Sequence, residues 1–151
     1  MKDLLIEKMY EWSKKPYQKY IRKNAPWTIG ITELLTFREE SLGFQLGKFL
    51  SQNHFEMQEK LEDHDVIHVL TNTGITVIDE IGMQFFLLGN GKRSLYLFMV
   101  IIVGIIFYPT QFSNFLSYYK RGKNSHIFYN LDFLKMLHIP VPQIKYIFNI
   151  Q

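Results

Sequence analysis

Apolar positions recur along almost the whole chain at helical rather than alternating spacing. Leu4, Leu5, Met9 and Trp12 predict a helix over 2–14. Pro16 and Pro26 then interrupt the pattern and leave 16–30 irregular, or carrying a short helix. A short apolar helix is expected over 31–37. Another is expected over 41–52, with Leu42, Leu46, Phe49 and Leu50 on one side and Gly43 and Gly47 four apart, a spacing that lets helices pack closely. Further helices are expected over 55–71, 76–88, 94–107 and 110–120. "TNTG" forms a turn before the second of these, with Gly74 taking the positive φ of a helix C-cap. Over 124–151 the pattern is less regular, and "IPVPQIKYIF" reads as extended because proline disfavours helix in the residue before it. Strand signals are weak, and no repeat, low-complexity tract or linker divides the chain. The expectation is an all-α fold of six or seven helices in a single domain, 1–151, with a helical hairpin spanning "TNTG".

The run Leu95–Tyr108 is apolar for 14 residues. At about 1.5 Å per residue it reaches about 21 Å, short of the roughly 30 Å of hydrocarbon in a bilayer. Lys92 and Arg93 precede it and Pro109 follows. The simplest expectation is a buried core helix. A helix apolar all round must be covered by something, so an apolar ligand cavity or a membrane-contact face is the second expectation.

Composition narrows the functional classes. The 151 residues carry a formal net charge of +3, too little to suggest a nucleic-acid binder. No Gly-rich phosphate loop or RNA-binding aromatic motif is present. There is no cysteine, which excludes disulfides, thiolate metal sites and a thiol nucleophile. Asp3, Glu7 and Glu11 interrupt any apolar leader, so a cytoplasmic location is expected.

The candidate chemistry lies in "HDVIHVLTNTGITVIDE", 64–80, where imidazoles and carboxylates interrupt an apolar stretch. His64, Asp65 and His68 fall within an arc of about 100° on a helix, and the two histidines stand at the i, i+4 spacing that lets two imidazoles hold one metal. A reversal centred near 73 mirrors the midpoint of His64 and His68 onto Glu80. Two nitrogens and up to two carboxylates would then converge, a set suited to Zn²⁺, Fe²⁺ or Mn²⁺. Asp63 and Asp79 are expected to be solvated, and His54, His126 and His138 to be structural.

H-D-x-x-H followed by eleven residues and a glutamate resembles the coenzyme Q (ubiquinone) biosynthesis protein 4 family, with the motif standing at His64, Asp65, His68 and Glu80. The preceding "SLGFQLGKFL" is similar to the family's Gly-x-x-x-small segment, and the resemblance extends over 40–140. The segment 50–64 is shorter than the family's, and the C-terminal region lacks its usual Tyr/Glu/Trp-bearing stretch. The resemblance implies a helical fold, a divalent metal, usually taken as zinc, on those four positions, and an apolar cavity for a prenylated lipid. It implies peripheral association with the inner membrane and a role in isoprenoid-quinone synthesis. That role is either oxidative decarboxylation of a prenylated quinone precursor or a non-catalytic scaffold for the other biosynthetic enzymes.

Met83 and Leu87 follow Glu80 at i+3 and i+7, and are expected to carry the lipid tail away from the metal. Lys92, Arg93, Lys120, Arg121 and Lys123 flank the most apolar helices, and are expected to meet anionic head groups. A further alternative is an HD-type metal-dependent phosphohydrolase, which needs an upstream histidine and a downstream aspartate. His54 and Asp132 are the available residues.

Overall fold

The computed structural model describes residues 27–55 and 62–151. The expected helix over 2–14, most of 16–30 and the span 56–61 lie outside the described residues. Among the described residues the chain is all-α. Its helices are α1 (Ile31–Leu34), α2 (Leu42–Gln52), α3 (Glu62–Thr71), α4 (Val77–Gly89), α5 (Leu95–Phe107), α6 (Phe112–Asn124) and α7 (Val141–Phe148). The extended backbone among these residues makes one isolated bridge, Ser41 with Pro140.

Local chemistry sets the helix starts. Ser41 accepts from the Phe44 amide at 3.2 Å to cap α2, and Ser94 accepts from the Leu97 amide at 3.2 Å to cap α5. Thr76 and Asp79 form a capping box on α4: each side chain accepts from the other residue's amide, both at 3.2 Å. Asp79 is therefore half-buried and committed to the cap, where a solvated carboxylate was expected. The reversal before α4 places positive φ at Asn72 (51°) and not at Gly74. Asparagine is the other residue that tolerates the left-handed region.

The central helix is α4, buried without a break from Ile81 to Leu87. Its pairing with α6 is a backbone contact. A Cβ on Gly122 would strike the Phe86 carbonyl, and one on Gly89 would strike the Tyr119 carbonyl. Phe85 stacks on Phe115 with centroids 5.0 Å apart. On another face, Ile81 lies where a Cβ on Gly104 of α5 would fall. Gly47 likewise admits Leu34 and Leu35, so α1 lies close against α2, as the glycine spacing predicts. Asn90, just past α4, is 1% exposed. Its amide donates to the His126 carbonyl at 2.9 Å and accepts from the Phe128 and Tyr129 amides at 3.1 and 3.2 Å, tying the C-terminal segment to α4.

Two expectations are corrected. "VPQIKYIF" is the helix α7 rather than extended chain. Proline in the first turn removes an N–H that has no intrahelical partner anyway, and its φ suits a helix start. The apolar helix α5 is only partly covered. Tyr96, Leu97, Ile101 and Gly104 are buried, while Leu95, Ile102 and Ile106 are 72%, 56% and 66% exposed. No helix among the described residues is long and apolar enough to cross a membrane, and α5 meets the following Pro109–Asn124 segment at a bend of 106°.

Candidate metal centre

The helices α3 and α4 fold back on one another across the turn and bring three sequence-predicted ligands to one point. His64 Nε2 and His68 Nε2 are 3.1 Å apart. Glu80 places Oε1 at 3.0 Å from His68 Nε2 and Oε2 at 3.4 Å from His64 Nε2. One donor atom from each residue lies within 4.8 Å of the other two. The mirror relation across the turn therefore held to the residue.

The site is pre-oriented. His68 is 3% exposed, and its Nδ1–H donates to the Thr73 carbonyl at 3.2 Å. That bond selects the tautomer whose Nε2 lone pair faces the cluster, the usual device for setting a metal-binding imidazole. Phe49 of α2 stacks on the His68 ring at 5.5 Å and fixes its plane. The His64 ring meets His68 edge-on, at 74°. Arg121 secures the end of α3 by donating to the Thr71 carbonyl at 2.9 Å, with its guanidinium over the Phe86 and Tyr118 rings.

The carboxylate and the imidazoles hold one another by charge. Burial by itself pushes the Glu80 carboxyl up, but the adjacent imidazoles of His64 and His68 hold it well below the usual carboxylate range. Burial by itself lowers the His68 pKa. The hydrogen bond and charge of Glu80, the Thr73 carbonyl and the charge of Asp65 raise it above its ordinary value. Glu80 Oε2 is buried and has no hydrogen-bond partner. With both Nε2 atoms deprotonated, two imidazole nitrogens and a carboxylate face one another, a donor set that suits a divalent cation. The three residues could hold a divalent metal.

Other expected residues take different places. Asp65 is half-buried, contributes its charge to His68, and is not one of the three residues in the tight cluster. Met83 and Leu87 are 0% and 2% exposed and lie in the core. Among the basic residues, Arg93, Lys120 and Lys123 are exposed and Lys92 is half-buried. Arg93 also donates to the Leu88 and Lys92 carbonyls, at 2.7 and 2.8 Å. Arg121 is turned inward by the contacts above. His54 is exposed, and Asp132 is exposed and paired with Lys135 at 2.8 Å, so neither joins the histidines as a phosphohydrolase would need.

The fold has a solved counterpart. The crystal structure of a candidate ubiquinone biosynthesis protein from Nostoc punctiforme superposes with a TM-score of 0.69, over 99% of this chain and 81% of that one, at 15% identity. That likeness is one of fold. No family model and no curated protein matches the sequence.

Proposed function

We propose that this chain is a metal-binding protein of quinone-lipid biosynthesis that receives a prenylated aromatic precursor with its head group at His64, His68 and Glu80. The observation that carries the proposal is this preorganised centre, set on a fold shared with a candidate ubiquinone biosynthesis protein. Zinc is the first metal to test, with iron and manganese next. Asp65 is proposed as a fourth ligand or as the residue that steers His68.

A divalent metal here supplies Lewis acidity to a head-group oxygen. The chain's own residues do the rest. Thr73 and Phe49 fix the His68 ring, and Glu80 holds negative charge beside both imidazoles. Met83 and Leu87, core residues on the same side of α4, are proposed as the residues a tail would displace from their present packing. Oxidative decarboxylation of the head group is the reaction proposed. The bond from ring to carboxyl breaks with release of carbon dioxide, and a ring hydroxyl forms in its place. Dioxygen, the oxidant, takes up the two electrons and leaves as hydrogen peroxide, with one water consumed. Zinc has no redox chemistry, so with zinc the oxidant must meet the substrate ring itself.

The exposed apolar face of α5, with Lys92, Arg93, Lys120 and Lys123, is proposed to rest on an anionic membrane surface. Partners would then be the prenylated lipid, the membrane and other quinone-biosynthesis proteins.

A second reading, a non-catalytic lipid-binding scaffold, is favoured by one observation: all three side chains in the tight cluster are candidate ligands, which leaves no separate acid or base among them. Metal-loaded protein incubated with a prenylated 4-hydroxybenzoate and dioxygen separates the two. Metal-dependent loss of the carboxyl group supports the enzyme. Stoichiometric binding without turnover supports the scaffold, and absence of binding contradicts both.

A further inference from the structure

Among the described residues, one buried side chain besides Glu80 has a polar atom without a hydrogen-bond partner. Gln84 is 2% exposed, and its Oε1 is buried with no hydrogen-bond partner. A buried amide oxygen left unpaired costs on the order of 1–3 kcal/mol, and folded proteins keep few of them. Gln84 is also the only polar residue in "IGMQFFLL", 81–88, where any apolar side chain of similar size would avoid that cost.

Its place on α4 is informative. Glu80 points to the histidines of α3. Ile81, about 100° further round, packs where α5 passes at Gly104. Gly82, Phe86 and Gly89 meet α6. Gln84 is four residues beyond Glu80 and about 40° round from it, between the α3-facing and α5-facing directions. It therefore sits one turn, about 6 Å, along the helix from the metal ligand, on the side turned towards the apolar helix. Glu80 Oε2 and Gln84 Oε1 are thus two buried acceptors without hydrogen-bond partners on successive turns. A cation satisfies the first. The second needs an O–H or N–H donor.

We propose that Gln84 is the specificity residue of this centre: its carboxamide oxygen accepts a hydrogen bond from a ring hydroxyl of the head group, whose acid end lies at the metal. The inference rests on the quinone-precursor reading above and adds the residue that recognises the substrate. The hydroxyl to test is the one para to the acid group, as in the prenylated 4-hydroxybenzoate of the reading above. An amide suits this task because it stays neutral beside Glu80. A site built to bond a hydroxyl rejects the analogue lacking it, since its own acceptor is then stranded.

The test compares 3-geranyl-4-hydroxybenzoate with 3-geranylbenzoate, by calorimetric titration into metal-loaded protein, with metal content measured alongside. Wild type is expected to prefer the hydroxylated ligand by tenfold or more. Gln84→Met should keep full metal content and reduce the preference to within twofold, mostly through weaker binding of the hydroxylated ligand. Gln84→Glu, which retains an acceptor, should keep a preference. The wild-type comparison stands on its own if either variant fails to fold. Equal binding of both ligands by wild type overturns the Gln84 assignment alone, as does an undiminished preference in Gln84→Met, which would mean that ordered water serves the amide. Loss of metal in Gln84→Met would make Gln84 a ligand and also overturn the assignment. If metal-loaded wild type binds neither compound, the quinone-precursor reading fails and takes this inference with it.

Discussion

Replacing Gly122 by alanine tests the contact that holds the helix carrying Glu80 in place. A Cβ there would collide with the Phe86 carbonyl oxygen and stand 2.8 Å from the carbonyl carbon and 3.1 Å from the Asn90 amide nitrogen. These are backbone atoms of α4 and its C-cap, so no side-chain rotation relieves the clash, and α6 must move away. Overpacking of this kind costs about 1–3 kcal/mol, and a backbone partner puts it at the upper end. Alanine in a helix interior returns up to about 1 kcal/mol relative to glycine. The net expectation is a destabilisation of about 2 kcal/mol, read as a lower urea midpoint at unchanged slope. Gly30→Ala is the control. Nothing lies within 4 Å of its Cβ position, and it should stay within about 0.5 kcal/mol of wild type. A Gly122→Ala protein as stable as wild type would refute the backbone contact between α4 and α6.

Asn90→Leu leaves the Phe128 and Tyr129 amides and the His126 carbonyl without their side-chain partner, and should destabilise the fold by about 2–4 kcal/mol in urea titration. Metal affinity should fall as pH is lowered, because protons compete for the imidazoles. The His68 pKa lies above the ordinary histidine value, so release should begin at higher pH than for an unperturbed histidine, as dialysis across pH with elemental analysis would show. Ile102→Glu together with Ile106→Glu alters only exposed positions of α5. The pair should abolish co-sedimentation with anionic vesicles while leaving the circular dichroism spectrum unchanged.

The helical hairpin and the convergence of His64, His68 and Glu80 were legible in the sequence because helical spacing and a short turn together constrain register. His64 and His68 share a helix face by periodicity alone, and the reflection through "TNTG" leads to Glu80 rather than to Asp79. Asp79 was misread as solvated, although the T-x-x-D spacing from Thr76 carries the signal of a helix cap. The fate of "LYLFMVIIVGIIF" was not legible. Hydropathy says that a helix wants cover but not whether its neighbours are broad enough to provide it, and here Ile81 takes only the strip around Gly104. Pro140 and Pro142 misled because the rule for the residue before proline was applied where the first-turn rule prevails. Arg121 looked like a surface cation. Its role comes from carbonyls and rings distant in sequence, Thr71, Gln151, Phe86 and Tyr118, which no local pattern reveals. Gln84 and Asn90 each left a trace, as isolated amides in or beside an apolar run, but only burial and hydrogen bonding separate the paired amide from the unpaired one.

The metal centre is tested most directly by elemental analysis of protein loaded with zinc and then desalted, in wild type and three variants. Wild type and Asp79→Asn are expected to retain one equivalent, because Asp79 serves the α4 cap. His68→Ala and Glu80→Gln are expected to retain far less while keeping their helical content. Failure of wild type to hold metal, or equal retention in all four proteins, would contradict the assignment of His64, His68 and Glu80 as a metal site.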